Sequence, residues 1–222
     1  MKRTLTLLSI FLFISVLVGQ PTFTEHVIST SADGLRSVYA ADVDGDGDMD
    51  VLSASANVDK IAWHENDGSE GFTEHAISTS TDGARSVYAV DVDGDGDMDV
   101  LSASQLDNKI AWYENDGSEN FTEHAISTSA NGAMSVHAAD LDDDGDMDAL
   151  SASYHNDKIA WYENDGSESF TEHAISTAAD GASSVYATDV DGDGDMDVLS
   201  ASILDDKIAW YENNGSESFT EQ

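Results

Sequence analysis

Arg36-Ser37-Val38-Tyr39-Ala40-Ala41-Asp42-Val43-Asp44-Gly45-Asp46-Gly47-Asp48-Met49-Asp50-Val51-Leu52-Ser53-Ala54-Ser55 is the stretch that decides the fold of this 222-residue chain. Its first part, Arg36–Val43, is rich in β-formers and runs into a turn of alternating Asp and Gly. Met49–Ser55 leaves that turn as a second β-run, so the stretch predicts two strands joined by a tight acidic connection. Asp59–Glu65 then sets Ile61 and Trp63 on one face and Ala62 and His64 on the other, the period of a strand. Asn66–Ser69 is a turn cluster, and Gly71–Ser78 predicts a fourth strand. No part of the unit carries a helical period of adequate length.

The unit returns. Phe23 is repeated at Phe72, Phe121, Phe170 and Phe219; Trp63 at Trp112, Trp161 and Trp210; Asp42 at Asp91, Asp140 and Asp189. Every step is 49 residues, without insertion, which divides the domain 23–222 into repeats at about 23–71, 72–120, 121–169 and 170–218. Four antiparallel strands in a unit of this length make a propeller blade. The expected fold is therefore all-β, with four tandem blades. Their arrangement has two solutions. Phe23–Ser29 can serve as the outer strand of the last blade, which carries only Phe219–Gln222, and so close a four-bladed ring without exposed edges. Its rival is an open propeller fragment.

The acidic turn carries the chemistry. Asp42, Asp44, Asp46, Asp48 and Asp50 recur as Asp91, Asp93, Asp95, Asp97 and Asp99, as Asp140, Asp142, Asp144, Asp146 and Asp148, and as Asp189, Asp191, Asp193, Asp195 and Asp197. Calcium takes six to eight oxygens at about 2.3–2.6 Å and tolerates mixed ligands. Alternating Asp residues in a tight loop turn their carboxylates to one centre, and the glycine at position 6 permits the bend. On this reading positions 1, 3, 5 and 9 give side-chain oxygens and position 7 its main-chain oxygen. An EF-hand needs a Glu at position 12 and flanking helices; that position is Ser53, inside a strand. A nonapeptide calcium β-helix would repeat its motif every nine residues or so. Four loops holding nearly half of the 45 acidic residues would be costly without a cation. The expected complement is about one Ca²⁺ per repeat, four in all.

These residues, with the following Val51-Leu52-Ser53-Ala54-Ser55 and the later Lys-Ile-Ala-Trp-Tyr-Glu-Asn-Asp-Gly, resemble the FG-GAP (VCBS-type) repeats. Such repeats build the propeller heads of integrin α-subunits and occur in many secreted bacterial and algal proteins. The resemblance covers residues 23–222 and implies that each Asp loop joins the first two strands of a blade and binds Ca²⁺. The literal Phe-Gly and Gly-Ala-Pro elements are missing, so integrin-like ligand binding is not implied. Propellers of the family usually have seven blades, and four repeats are present here.

Met1-Lys2-Arg3, the apolar run Leu5–Val18, and Gly19-Gln20 have the layout of a cleavable signal peptide over residues 1–20. The chain is thus expected to be secreted, with no membrane insertion after cleavage. The formal net charge of −37 repels phosphates and excludes nucleic acid as a natural partner. There is no cysteine to pair. Trp63 and its repeats are expected to pack between blades rather than stack on sugars, and His26, His75, His124 and His173 to be ordinary outer-strand residues rather than a metal ring. No nucleophile elbow, H-E-x-x-H motif or phosphate loop is present, and no reactive residue stands apart from the repeat, so no enzyme is expected. The reading is an extracellular binding or adhesion scaffold for a protein or glycan ligand. Its alternatives are a carbohydrate-binding lectin and an accessory fragment of a larger secreted enzyme.

Overall fold

A computed structural model describes residues 23–216 and 218–222; the expected signal peptide lies outside them. Sixteen strands among the described residues form four separate four-stranded sheets. Blade one holds β1 (Leu35–Ala41), β2 (Asp50–Ser55), β3 (Lys60–Asn66) and β4 (Phe72–Ser78). Blade two holds β5 (Ala84–Val90), β6 (Asp99–Ser104), β7 (Lys109–Asn115) and β8 (Phe121–Ser127). Blade three holds β9 (Ala133–Ala139), β10 (Asp148–Ser153), β11 (Lys158–Asn164) and β12 (Phe170–Ser176). Blade four holds β13 (Ala182–Thr188), β14 (Asp197–Ser202), β15 (Lys207–Asn213) and β16 (Phe219–Glu221). Within each blade the strands pair antiparallel in chain order. The blade frame is offset from the sequence ruler, because β4 completes the sheet begun at Leu35.

The central strands of the inner blades are buried on both faces, since each sheet is sandwiched between two others. Ile61, Trp63, Leu52 and Ala54 of blade one share one core cluster with Val87, Ala89, Val100 and Tyr113 of blade two, and the pattern repeats at the next two junctions. Small residues such as Ala54 and Ala62 let the sheets approach while Trp fills the space between them. Trp63, Trp112 and Trp161 are wholly buried, so the repeated tryptophans are packing residues. Along the inner strands the rings of Tyr39, Tyr88, His137 and Tyr186 form a continuous ladder, with successive centroids 4.6, 4.6 and 4.5 Å apart.

On the outer strands His75, His124 and His173 each stack on the blade's own Trp and meet Glu65, Glu114 and Glu163 at 2.7 Å. They are strand residues with local partners, as expected. The four lysines of β3, β7, β11 and β15 each reach a glutamate on the neighbouring outer strand, Lys60 meeting Glu74 at 2.5 Å.

The blades form an open arc, and the expected clasp does not form. The outer position of blade four is taken by its own β16, paired to β15 through Phe219, Thr220 and Glu221. Residues 23–29 instead lie against blade one, where His26 Nδ1 stands 3.5 Å from Glu70 and Ile28 and Val27 line a hollow with Val51 and His64.

Candidate functional site

Each Asp loop spans the gap between the first two strands of a blade, Asp42 directly after β1 and Asp50 opening β2. The loop is folded by its own carboxylates. Asp42 Oδ2 accepts from Gly47 N at 3.0 Å, Asp44 Oδ1 from Asp46 N at 3.1 Å, and Asp46 Oδ1 from Asp48 N at 2.9 Å. Asp50 is fully buried and accepts from Val43 N at 3.0 Å and Asn66 N at 2.7 Å. Gly47 and its repeats Gly96, Gly145 and Gly194 take φ between 96° and 108°, a region that a side chain would strain.

This folding turns three carboxylates to one centre. Oxygens of Asp42, Asp44 and Asp50 lie within 4.8 Å of one another, and so do those of Asp91, Asp93 and Asp99, of Asp140, Asp142 and Asp148, and of Asp189, Asp191 and Asp197. The sequence also named Asp46, Asp95, Asp144 and Asp193, which fall outside these triads and bond the backbone two residues on. Asp48 and its repeats Asp97, Asp146 and Asp195 direct their carboxylates at Gly68, Gly117, Gly166 and Gly215, where an added Cβ would sit within 2.8 Å or less of an Asp oxygen. The position-7 carboxylates also fall outside the triads.

The electrostatics favour a cation. Burial pushes Asp99 up to about 6 and Asp148 up to about 7. Asp44, Asp93 and Asp142 are raised as well, by burial first and then by neighbouring carboxylates. Asp42 Oδ1 and Asp140 Oδ1 are buried acceptors without a hydrogen-bond donor. An oxygen-only set with orphaned buried acceptors and mutually repelling charges fits a hard divalent ion. The donors of each triad are in place to hold one.

The sequence reading missed Asn66, Asn115, Asn164 and Asn213. Their backbone amides bind the position-9 Asp, and their side chains tie the loops together. Asn115 Nδ2 donates to Met98 O within its own blade and to Val43 O, inside the Asp loop of the preceding blade, both at 3.1 Å. Asn164 and Asn213 do the same to Val92 O at 3.0 Å and Leu141 O at 2.8 Å. The available signal was an Asn at one fixed position in all four repeats, directly after the Trp-aromatic-Glu run.

A four-blade arc with one acidic hairpin loop per blade defines a repeat protein of the propeller class. The FG-GAP-like repeat pattern matches residues 9–53, 42–102, 91–151 and 140–200, and the chain belongs to that family. No curated protein matches it. Among solved structures it is similar to a lectin of Agrocybe aegerita described as recognising non-reducing terminal N-acetylglucosamine. That match has 16% identity and a TM-score of 0.56, over 83% of this chain and 51% of that one. It is also similar to the V. cholerae biofilm matrix protein Bap1, with 22% identity and a TM-score of 0.53, over 82% of this chain and 27% of that one. The chain spans about half of the first and about a quarter of the second. At these identities the likeness is one of fold.

Proposed function

We propose that this chain is a secreted, calcium-binding propeller module that acts as an extracellular binding or adhesion scaffold and performs no catalysis. The observation that carries the proposal is the convergence of the same three carboxylates in all four blades. Calcium is the ion favoured, because the donors are oxygens only and Ca²⁺ accepts mixed carboxylate and carbonyl coordination. A bound Ca²⁺ supplies positive charge between the end of one strand and the start of the next. Asp42, Asp44 and Asp50 would hold it in blade one, with the carbonyl of Asp48 and the carboxylate of Asp46 as further ligands. Secretion is supported by the basic and apolar residues at the N-terminus. A scaffold role is supported by the descriptions of two of the similar structures.

Calorimetric titration of the metal-free chain with Ca²⁺ tests the ion, with four sites expected. Titration with no bound Ca²⁺ would refute it. Recovery of the chain from culture medium, processed near Gln20, tests secretion.

A second reading, glycan binding, rests on a hollow of about 400 Å³ where Tyr88, His137 and Tyr186 stand beside Asp140 and Asp143. Tyr186 is exposed there, and an aromatic face next to carboxylates suits a sugar ring and its hydroxyls. A glycan array on the wild type and on Tyr186→Ala separates the readings: signal lost with the ring would make the chain a lectin.

A further inference from the structure

We propose that this chain associates with a second copy of itself head to tail, blade four of one copy packing on blade one of the next. The two faces are the halves of an interface the molecule already makes three times. Ile61, Ile110 and Ile159 point from blades one, two and three into the following blade and are 0% exposed; Ile208 of blade four occupies the same position and is 84% exposed. On the receiving side Val87, Val136 and Val185 are 3–5% exposed, whereas Val38 of blade one is 62% exposed. Both positions are buried at each of the three junctions and exposed only on the two end blades.

The polar groups at the two faces are complementary in the same way. At the junctions, Val87 N, Val136 N and Val185 N donate to the hydroxyl oxygens of Ser37, Ser86 and Ser135, respectively, in the preceding blade. Val38 N is the fourth member of that series, and Ser184 its matching hydroxyl. The Nδ2 groups of Asn115, Asn164 and Asn213 each reach a carbonyl in the preceding Asp loop, while Asn66 Nδ2 donates to Met49 O alone. The carbonyl that completes the pattern is that of Val190.

Residues 23–29 are already placed for the contact. They repeat the sequence of an outer strand and lie against blade one, where Ile28 lines a hollow with Val38, Val51 and His64. Ile77 of β4 packs in the corresponding way on the cluster that holds Val87, Val100 and Tyr113. The hollow, about 270 Å³, stands where a preceding blade would place its isoleucine. In blade four, β15 is bonded outward from Trp210 to Asn213, leaving Ile208 and Ala209 without an outer partner, whereas β3 pairs from Ile61 to Asn66. A partner's Val27–Ser29 therefore meets an unpaired stretch of β15. The contact is heterologous, so it yields a closed pair where the rotation per blade permits and a longer string where it does not.

Sedimentation of the full chain, in millimolar Ca²⁺ and physiological salt to screen its charge, tests the proposal. Three samples decide it: wild type, Val38→Glu and Ile208→Glu, with circular dichroism confirming that each variant is folded. The wild type is expected at twice the monomer mass or more, and each variant alone at the monomer mass. Mixing the two variants should restore a species of twice the monomer mass, because one intact head then meets one intact tail. Wild type that remains monomeric at every concentration overturns the proposal and assigns these faces to another occupant. A Val38→Glu chain that associates as wild type does would show a tail-to-tail contact and overturns it equally.

Discussion

Asn115 Nδ2 donates to the carbonyl of Val43, 72 residues earlier, so blade two holds the Asp loop of blade one. Both atoms are buried, and removing the donor leaves an unsatisfied carbonyl. Asn115→Ala is expected to lower unfolding free energy by about 1–3 kcal/mol in urea. Asn66→Ala, at the position without a preceding loop, should cost less than Asn115→Ala. Equal losses would show that the bond across the junction contributes nothing.

Calcium removal should act on all four loops together. If free Ca²⁺ stands at about 100 times Kd, linkage stabilises the chain by roughly 2.7 kcal/mol per site. Chelation is therefore expected to lower the melting temperature by tens of degrees, and Mg²⁺ to rescue it poorly because it demands a stricter octahedral shell. Asp93→Ala, in the triad of blade two, should remove one ion from a calorimetric count. Asp95→Ala, outside the triad, should weaken that site by a smaller factor.

His137 replaces the tyrosine of the other three repeats in the inner ladder. It is 8% exposed, and burial pulls it down to about 4. A folded pKa below the ordinary value of 6.5 means that the neutral form is favoured in the fold. That stabilisation is present above about pH 6.5 and is lost as pH falls toward 4, up to roughly 3 kcal/mol. His137→Tyr should remove this part of the acid limb in melts between pH 7 and 4.5, compared at saturating Ca²⁺. Parallel limbs for both proteins would exclude the histidine as its source.

Asp143 adopts φ 61° where the other loops have glycine, at Gly45, Gly94 and Gly192. It also adds a negative charge near Asp195 in the next blade, whose carboxyl is raised first by desolvation, then by Asp193 and then by Asp143. Asp143→Gly should stabilise the chain by about 0.5–1 kcal/mol, from relief of the left-handed backbone. A loss of stability in urea would mean that the carboxylate has an attractive role in the loop.

The strands were legible because every blade repeats one alternation of apolar and polar residues, and Ile61 and Trp63 fall on one face as their spacing dictates. The Asp loop was legible for the same reason, a fixed spacing over nine residues. What the sequence left open depends on contacts between blades. The Asn115–Val43 bond has no local pattern, since its partners belong to different repeats. Closure turns on the rotation from one sheet to the next, which Trp and Ala set jointly through packing, and no single residue encodes it. The separation of Asp44 from Asp46 was hidden too, because both alternate in sequence and both accept from the backbone two residues on, and only the folded turn brings one of them within reach of Asp42 and Asp50.

The junction bonds from Asn115, Asn164 and Asn213 lie one after another along the arc, so a pulling force meets them in series. A chain stretched between blade one and blade four would carry the same tension through each junction. It should yield one blade at a time, each rupture releasing a 49-residue length, so that force falls in equal steps rather than in one collapse. A molecule that lengthens this way dissipates load and keeps its remaining blades folded, a mechanical property that follows from repetition alone.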